Sequence, residues 1–457
     1  MTALQTMGAF VAEGVRGRVS AATRATATLH VIDTVGAWIA GAHTAEGRAL
    51  IKRLAPAATS AAAPNDGEPA RELGIHCALA RLSEVDNIHL ASTTTPGGIV
   101  IPAALTIAAA RPDTSPEALL EAIVGGIEAM VRLGAAIGGP TVLYRGIWPT
   151  YFAAPFGVAA VASRLHGLDA ERTAHALALA LTFASPGVGH HNAGTTSRWF
   201  AVGQAARNGL VAAQAAQAGF TSDLNLLDGS FLNGVYGITP SIGAFTDNLG
   251  QRCALDDTSF KPWCAARQTI AATQGLLEAI EDGVAPETIQ SVEVHVPPPT
   301  LKMIDHGVTA GERASHLTSV HYHLALAACD RSGLYDVGHS PTRIAGDVQA
   351  FMQKITVAGD PTLLGFYPKA WAARTIVHTT SGPKERLVIH VPGDPQKPFD
   401  DRQVENKFRR ILTPVAAVDV DRLLARCRSV FDTNRSAATL VQDVARVALG
   451  AGSAAHS

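Results

Sequence analysis

The sequence predicts a mainly α-helical protein: a large all-helical domain formed by both ends of the chain, with a smaller α+β lid domain inserted between them. Three observations predict it. The chain has 457 residues, 47 % of them hydrophobic, which is more than one small core can use and points to two domains. Apolar residues recur at spacings of three and four over most of the chain before residue 285. Beyond that point short runs alternate apolar and polar residues, and helical spacing returns from residue 401. The expected division is 1–274 with 401–457 for the helical domain and 275–400 for the lid.

Helix by helix, residues 13–42 carry Leu29, Ile32, Val35, Trp38 and Ile39 on one face. The Pro- and Ala-rich stretch 56–70, with Asn65, Asp66 and Gly67, reads as an exposed loop. Helices follow at 71–82, 99–110, 115–135, 151–164, 170–182 and 200–218, with Asp169 placed to cap one of them and Gly219 to end another. Strands are expected at 291–296, 354–357, 374–380 and 386–391, forming an antiparallel or mixed sheet, with a helix over 317–330 between the first two. The closing helices are 401–412, 417–428 and 439–449. Aromatics are only 5 % of the chain, so many helix contacts must be made by Ala and Gly at close range. An inserted domain also predicts a cleft, a common place for a small-molecule site.

Composition removes several function classes. Basic and acidic residues nearly cancel, 37 against 39, and no Lys/Arg run forms the positive face that nucleic acid requires. The densest basic run, Lys407-Phe408-Arg409-Arg410, falls on an expected helix. Five scattered cysteines with no CxxC pair fit a reducing compartment rather than a disulfide framework. The N-terminus has no secretory pattern, and apolar stretches such as 101–110 are too short to span a bilayer, so a cytoplasmic location away from membranes is expected. Dinucleotide, Walker, HExxH and nucleophile-elbow motifs are absent. Asp86 and His89, with His190 and His191, supply potential ligands, but their ordinary hydrogen-bonding roles outrank a metal site.

Read in whole segments, the chain resembles the MmgE/PrpD family. The likeness rests on His30–Gly41, Thr95–Pro102, Arg145–Thr150, Gly203–Gly209, Lys261-Pro-Trp263, Ser319–Tyr322 and Phe399–Arg410, in order along nearly the whole chain. It implies a homodimer with a helical domain and a lid, no metal or nucleotide cofactor, and chemistry on a small carboxylic acid. Such chemistry needs cations for carboxylates and a base beside the reacting carbon. The carry-over is partial. Arg198 stands where relatives carry a catalytic Lys, and it can grip a carboxylate but transfers protons poorly. Thr95, Trp148 and Ile270 stand where relatives have histidines, and Trp148 makes that wall flatter and more apolar. The family's acidic cluster appears as Glu84-Val-Asp86-Asn87, and Tyr322 matches the family tyrosine.

These residues set the expected site. Arg198 clamps a carboxylate or forms a structural ion pair, with Lys261, Arg267 and Arg145 as secondary clamps and Thr95 and Trp148 as walls. His89 with Asp86 is the expected base, His190 or His191 the alternative, and His321 and His323 flank Tyr322, the expected acid. The predicted function is a cofactor-independent dehydratase-type lyase or isomerase on a small carboxylic acid, departing from 2-methylcitrate dehydratase and cis-aconitate decarboxylase. The rival reading is a non-catalytic family member that binds a small acid or acts as an interaction protein.

Overall fold

Helices dominate because the sequence supplies apolar stripes and good stops. The computed structural model describes residues 1–54, 68–184, 195–338, 340–415 and 418–453. Among these, helices account for most of the chain, with one four-stranded sheet. The expected loop 56–70 lies almost wholly outside the described residues, as do His190 and His191.

The first long helix is Ala21–Ala42, not 13–42. Ser20 caps it by accepting the Thr23 N–H, and Gly17 just before it has a positive φ of 63°, which no helix continues through. Upstream of that break, Ala3–Ala9 is α-helical and Phe10–Gly14 forms a π-turn. Most other helices lie close to expectation: Gly97–Ala109, Pro116–Ala136, Pro149–His166, Ala170–Thr182 and Ser197–Gln217. Asp169 caps Ala170–Thr182 through the Arg172 N–H, and Gly167 closes the preceding helix in a left-handed conformation. The expected 317–330 helix is broken in two, Arg313–Thr318 and Val320–Cys329. Ser319 is extended and its hydroxyl takes the Tyr322 N–H, so it begins a new helix instead of continuing the old one.

The sheet consists of β1 (Ile289–Val296), β2 (Ile355–Gly359), β3 (Ala373–Thr379) and β4 (Gly382–Val388) in the order β2-β1-β3-β4. It is mixed: β1 and β2 are parallel, while β1–β3 and β3–β4 are antiparallel. The last strand starts earlier than 386 because β3 and β4 form a tight hairpin that turns at Gly382, φ 106°.

The chain divides into two compact units. One joins Met1–Gly189, Ser197–Thr258 and Asp400–Ser457, and the other is built mainly from Ser259–Phe399. The second unit therefore begins at 259, where the sequence placed the change at 275. The helix Arg267–Glu281 explains this, because it packs on β3, where the Thr375 hydroxyl donates to the Ala272 carbonyl over 3.1 Å. A boundary at 274 would cut that helix in half. Among the described residues no helix is long and apolar enough to cross a membrane.

Candidate functional site

Two glycines bring the central charged groups of the first unit together. The helices Glu68–Leu82 and Ser197–Gln217 cross at Gly74 and Gly203 so closely that a Cβ on Gly203 would lie 2.5 Å from the Gly74 carbonyl oxygen. Arg81 near the end of one helix and Arg198 at the start of the other then face the same loop, Ser83–Asn87. Arg81 Nη1 holds Glu84 Oε2 and Asp86 Oδ1, each at 3.0 Å. Arg198 Nη2 lies 3.5 Å from Glu84 Oε1, which also accepts the Trp199 indole N–H at 3.4 Å. Glu84 takes a positive φ of 54°, a conformation that costs a non-glycine residue about 1 kcal/mol. Strain of this kind persists only where surrounding contacts enforce it.

The loop is fastened from below. The Val85 carbonyl accepts Lys407 Nζ at 2.9 Å, and Lys407 also pairs with Asp33. Asn87 donates to His30 Nδ1 at 2.7 Å and accepts the Gly97 N–H at 2.8 Å. Burial, then Lys407, pushes the His30 pKa down to about 3, so this imidazole is neutral. Burial works against the charge on Arg81, but Asp86 and Glu84 more than offset it and hold the guanidinium above its ordinary pKa.

Above the loop the walls are aromatic. Trp148 precedes Pro149, the first residue of the helix Pro149–His166, and its ring meets Tyr151 edge-on with centroids 5.4 Å apart. The Arg198 guanidinium lies over Trp148 at 5.7 Å and over Trp199 at 4.9 Å. Three donors in this cluster, Trp148 Nε1, the Tyr151 hydroxyl and Arg198 Nε, are buried without an acceptor among the described residues. Burial pushes the Tyr151 pKa up to about 12 against the pull of Arg81 and Arg198, so its hydroxyl keeps its proton. Thr95 adjoins them: its N–H donates to Thr150 Oγ1 at 3.1 Å.

The expected residues thus fall into distinct places. Asp86, Arg198 and Trp148 share one cluster, with Thr95 at its edge. His89 does not pair with Asp86: its Nδ1 accepts the Ser92 N–H at 3.2 Å, and its pKa is pushed down to about 4 by burial, then by Arg252. Arg145 is exposed and donates to the Tyr236 and Gly237 carbonyls at 3.0 and 3.3 Å, a structural tie rather than a clamp. In the second unit Arg267 forms a two-oxygen ion pair with Asp394, at 3.0 and 2.8 Å, so its charge is already matched. Lys261 and Tyr322 are buried there. The Tyr322 ring meets His316 edge-on, and burial, then Asp330 and Asp336, raises its pKa. His321 bonds Asp305 at 2.9 Å, and His323 is buried, with Nε2 donating to the Leu317 carbonyl at 3.2 Å.

Sequence reasoning missed Arg81 and Tyr151. Arg81 stands three residues before Glu84, a spacing that invites a pair at a helix end. Tyr151 reads as core, but it follows Trp148 by three residues at a helix start, which puts both rings on one side. Among the described residues no three His, Cys, Asp or Glu side chains converge as a metal site requires.

Family models agree with the segments that build this cluster. The MmgE/PrpD N-terminal domain matches residues 5–239 and the MmgE/PrpD C-terminal domain matches 263–432. The chain belongs to the MmgE/PrpD family. No curated protein matches it. Within this MmgE/PrpD protein the N-terminal match contains Arg81, Glu84, Asp86, Trp148, Tyr151 and Arg198, and the C-terminal match contributes Lys407, which fastens the loop between Glu84 and Asp86. The family is known for dehydratase-type enzymes, so an enzymatic role is in keeping with the match.

Proposed function

We propose that this MmgE/PrpD protein is a homodimeric, cofactor-independent lyase or isomerase that moves a proton next to the carboxylate of a small acid. The observation that carries this reading is the set of three buried donors without acceptors among the described residues: Trp148 Nε1, the Tyr151 hydroxyl and Arg198 Nε. Leaving a buried donor unpaired costs about 1–3 kcal/mol each, a cost that an anionic oxygen entering the cluster removes. A carboxylate accepts from the guanidinium and the indole N–H at once, which leaves the Tyr151 proton for the reacting part of the acid.

The same arrangement supports the chemistry. Arg198 sits at a loose 3.5 Å from Glu84 and is drawn toward an incoming carboxylate. Glu84 then loses the pull of that cation, which raises its basicity and makes it the base for the neighbouring carbon. Tyr151, still protonated, donates to the leaving group or to the opposite face of the carbanion. Loss of a hydroxyl gives dehydration, and return of the proton on the other face gives epimerisation. Glu84 replaces His89 in this scheme because the His89 imidazole is tied to Ser92.

The test is α-proton exchange of a panel of small carboxylic acids in deuterated water, followed by NMR. Arg198→Gln is expected to reduce exchange by about 10²-fold. Wild-type exchange in Arg198→Gln overturns the clamp. The second reading, a binder without turnover, is favoured by His30 and His89 both being engaged elsewhere, with Asn87 and with Ser92. Saturable binding with no exchange at all selects it.

A further inference from the structure

We infer that the cavity between the π-turn Phe10–Gly14 and the loop 250–256 binds a free apolar α-amino acid as its zwitterion. The cavity lies wholly in the first unit and shares no residue with the Arg198 cluster, so the inference stands apart from the proposed function.

Size and wall decide the body. The hollow encloses about 280 Å³, just below the roughly 300–1,000 Å³ of drug-sized sites, so it admits a small molecule only. Its apolar side is Phe10, Val15, Val19 and Val124. The π-turn builds that side: the Val15 N–H donates to the Phe10 carbonyl, five residues back, at 3.1 Å. Glycines leave room for the Phe10 ring. A Cβ on Gly14 would lie 2.9 Å from Phe10 Cδ2, and one on Gly250 3.3 Å from Phe10 Cε2. A branched aliphatic side chain buries its surface against such a wall.

Charge decides the head. The lining carries two acids, Glu128 and Asp256, and two cations, Arg18 and Arg252. Glu128 is already matched: Arg132 holds Oε1, and the Ala254 N–H donates to Oε2 at 2.8 Å. Asp256 is matched less well. Burial, then Asp257, raises its pKa against Arg252 and the Thr26 hydroxyl, so its carboxylate gains from an added cation. Both acids lie near the Cys253 thiol, whose pKa is pushed up to about 12 by burial, with Asp256 and Glu128 adding to it. Among the described residues these three side chains do not converge as a metal ion requires, whereas an ammonium takes partners in looser geometry. Arg18 and Arg252 are exposed at the rim, and the pair of Arg252 with Asp257 is a surface contact that solvent weakens. A carboxylate at the rim meets these guanidiniums while the ammonium beside it faces Asp256. An α-amino acid carries both groups on one carbon and leaves its side chain for the apolar wall.

The experiment is titration calorimetry of the full chain at pH 7.5 with L-leucine and with its two halves. Isocaproate lacks the ammonium, and isoamylamine lacks the carboxylate. L-leucine is expected to bind at least about tenfold tighter than either. Asp256→Asn and Arg18→Gln should each weaken L-leucine by about tenfold, and Arg18→Gln should leave isoamylamine unchanged. Val124→Phe, which fills the hollow, should weaken L-leucine most, and the two exposed substitutions guard against a Val124→Phe chain that fails to fold. Either half binding as tightly as L-leucine overturns the zwitterion, and no binding of L-leucine overturns the site. L-leucine binding that Arg198→Gln removes, while Asp256→Asn and Arg18→Gln leave it intact, belongs to the Arg198 cluster. That outcome overturns this inference and keeps the clamp.

Discussion

A buried hydroxyl with no partner among the described residues is a cost that folding alone does not explain, and Tyr151 carries one. Stability and function should therefore respond in opposite directions when it is removed. Tyr151→Phe deletes only the oxygen and leaves the ring against Trp148, so the unfolding free energy measured in urea is expected to stay level or rise, by up to about 1 kcal/mol. The same change should lower α-proton exchange by about 10²-fold, because a positioned proton donor is lost. A large loss of stability would mean that the hydroxyl supports the fold, and would remove Tyr151 from the site. At this scale the sequence was informative where side-chain chemistry is rare and opaque where it is ordinary. Arg198 and Trp148 stood out because each replaces another chemistry at a family position. Tyr151 was hidden because a phenol in an apolar helix looks like any core ring. Arg267 and Arg145 looked like free cations, yet Asp394 and two backbone carbonyls occupy them. Those partners lie far along the chain, beyond any local pattern.

The elements place these side chains by approaching closely rather than by filling space. The Gly74–Gly203 crossing sets the separation of Arg81 and Arg198, since each glycine faces the other's backbone. A methyl group at 203 would meet the Gly74 carbonyl at 2.5 Å and the Ala78 Cβ at 3.0 Å, and backbone cannot yield as a flexible side chain does. Gly203→Ala is thus expected to destabilise the protein by about 1–3 kcal/mol and to lower α-proton exchange, because Arg198 moves with its helix. An unchanged midpoint and exchange rate in Gly203→Ala would show that the crossing is slack. Gly98 plays a similar part at the start of Gly97–Ala109, where a Cβ would come within 2.7 Å of Asp86 Oδ2. Helix existence was legible from spacing, and several ends were legible from Asp169, Gly167 and Gly219. Glycine–glycine crossings were not legible in detail, because composition says that helices pack tightly without saying which two. The split at Ser319 and the helix Arg267–Glu281 were missed for a related reason: apolar spacing runs on through Ser319, and sheet packing, not local pattern, assigns Arg267–Glu281 to the second unit.

Across the whole molecule, buried imidazoles make stability depend on pH in one direction. His30 and His76 have pKa values pushed down to about 3, and His89 and His323 to about 4, in each case chiefly by burial. Lys407 adds to the effect at His30 and Arg252 at His89, whereas at His323 the hydrogen bond to Leu317 opposes it. An unfolded chain takes up these protons near pH 6.5, while the folded chain refuses them until far lower pH. Between those limits the unfolded state binds more protons, so stability falls as the solution is acidified. Above pH 6.5 both states are neutral at these sites, and their contribution is complete. Each histidine then withdraws up to about 1.4 kcal/mol per pH unit below 6.5, ending near pH 4 for His89 and His323 and near pH 3 for His30 and His76. Three of the four lie in the first unit and His323 in the second, so acid weakens both. Urea unfolding at pH 7.5, 6.0 and 5.0 should show a midpoint that holds at the first value and drops through the next two. His76 packs on Trp38 with centroids 4.4 Å apart and bonds Thr106 at 2.8 Å, outside the loop that carries Glu84. His76→Gln keeps a polar partner for Thr106 and removes one titrating group, so the acid slope should shrink by about one proton while α-proton exchange at pH 7.5 stays unchanged. A midpoint that stays flat from pH 7.5 to 5.0 would mean these imidazoles reach water in the folded protein, and that the burial credited to the loop beneath Glu84 is wrong.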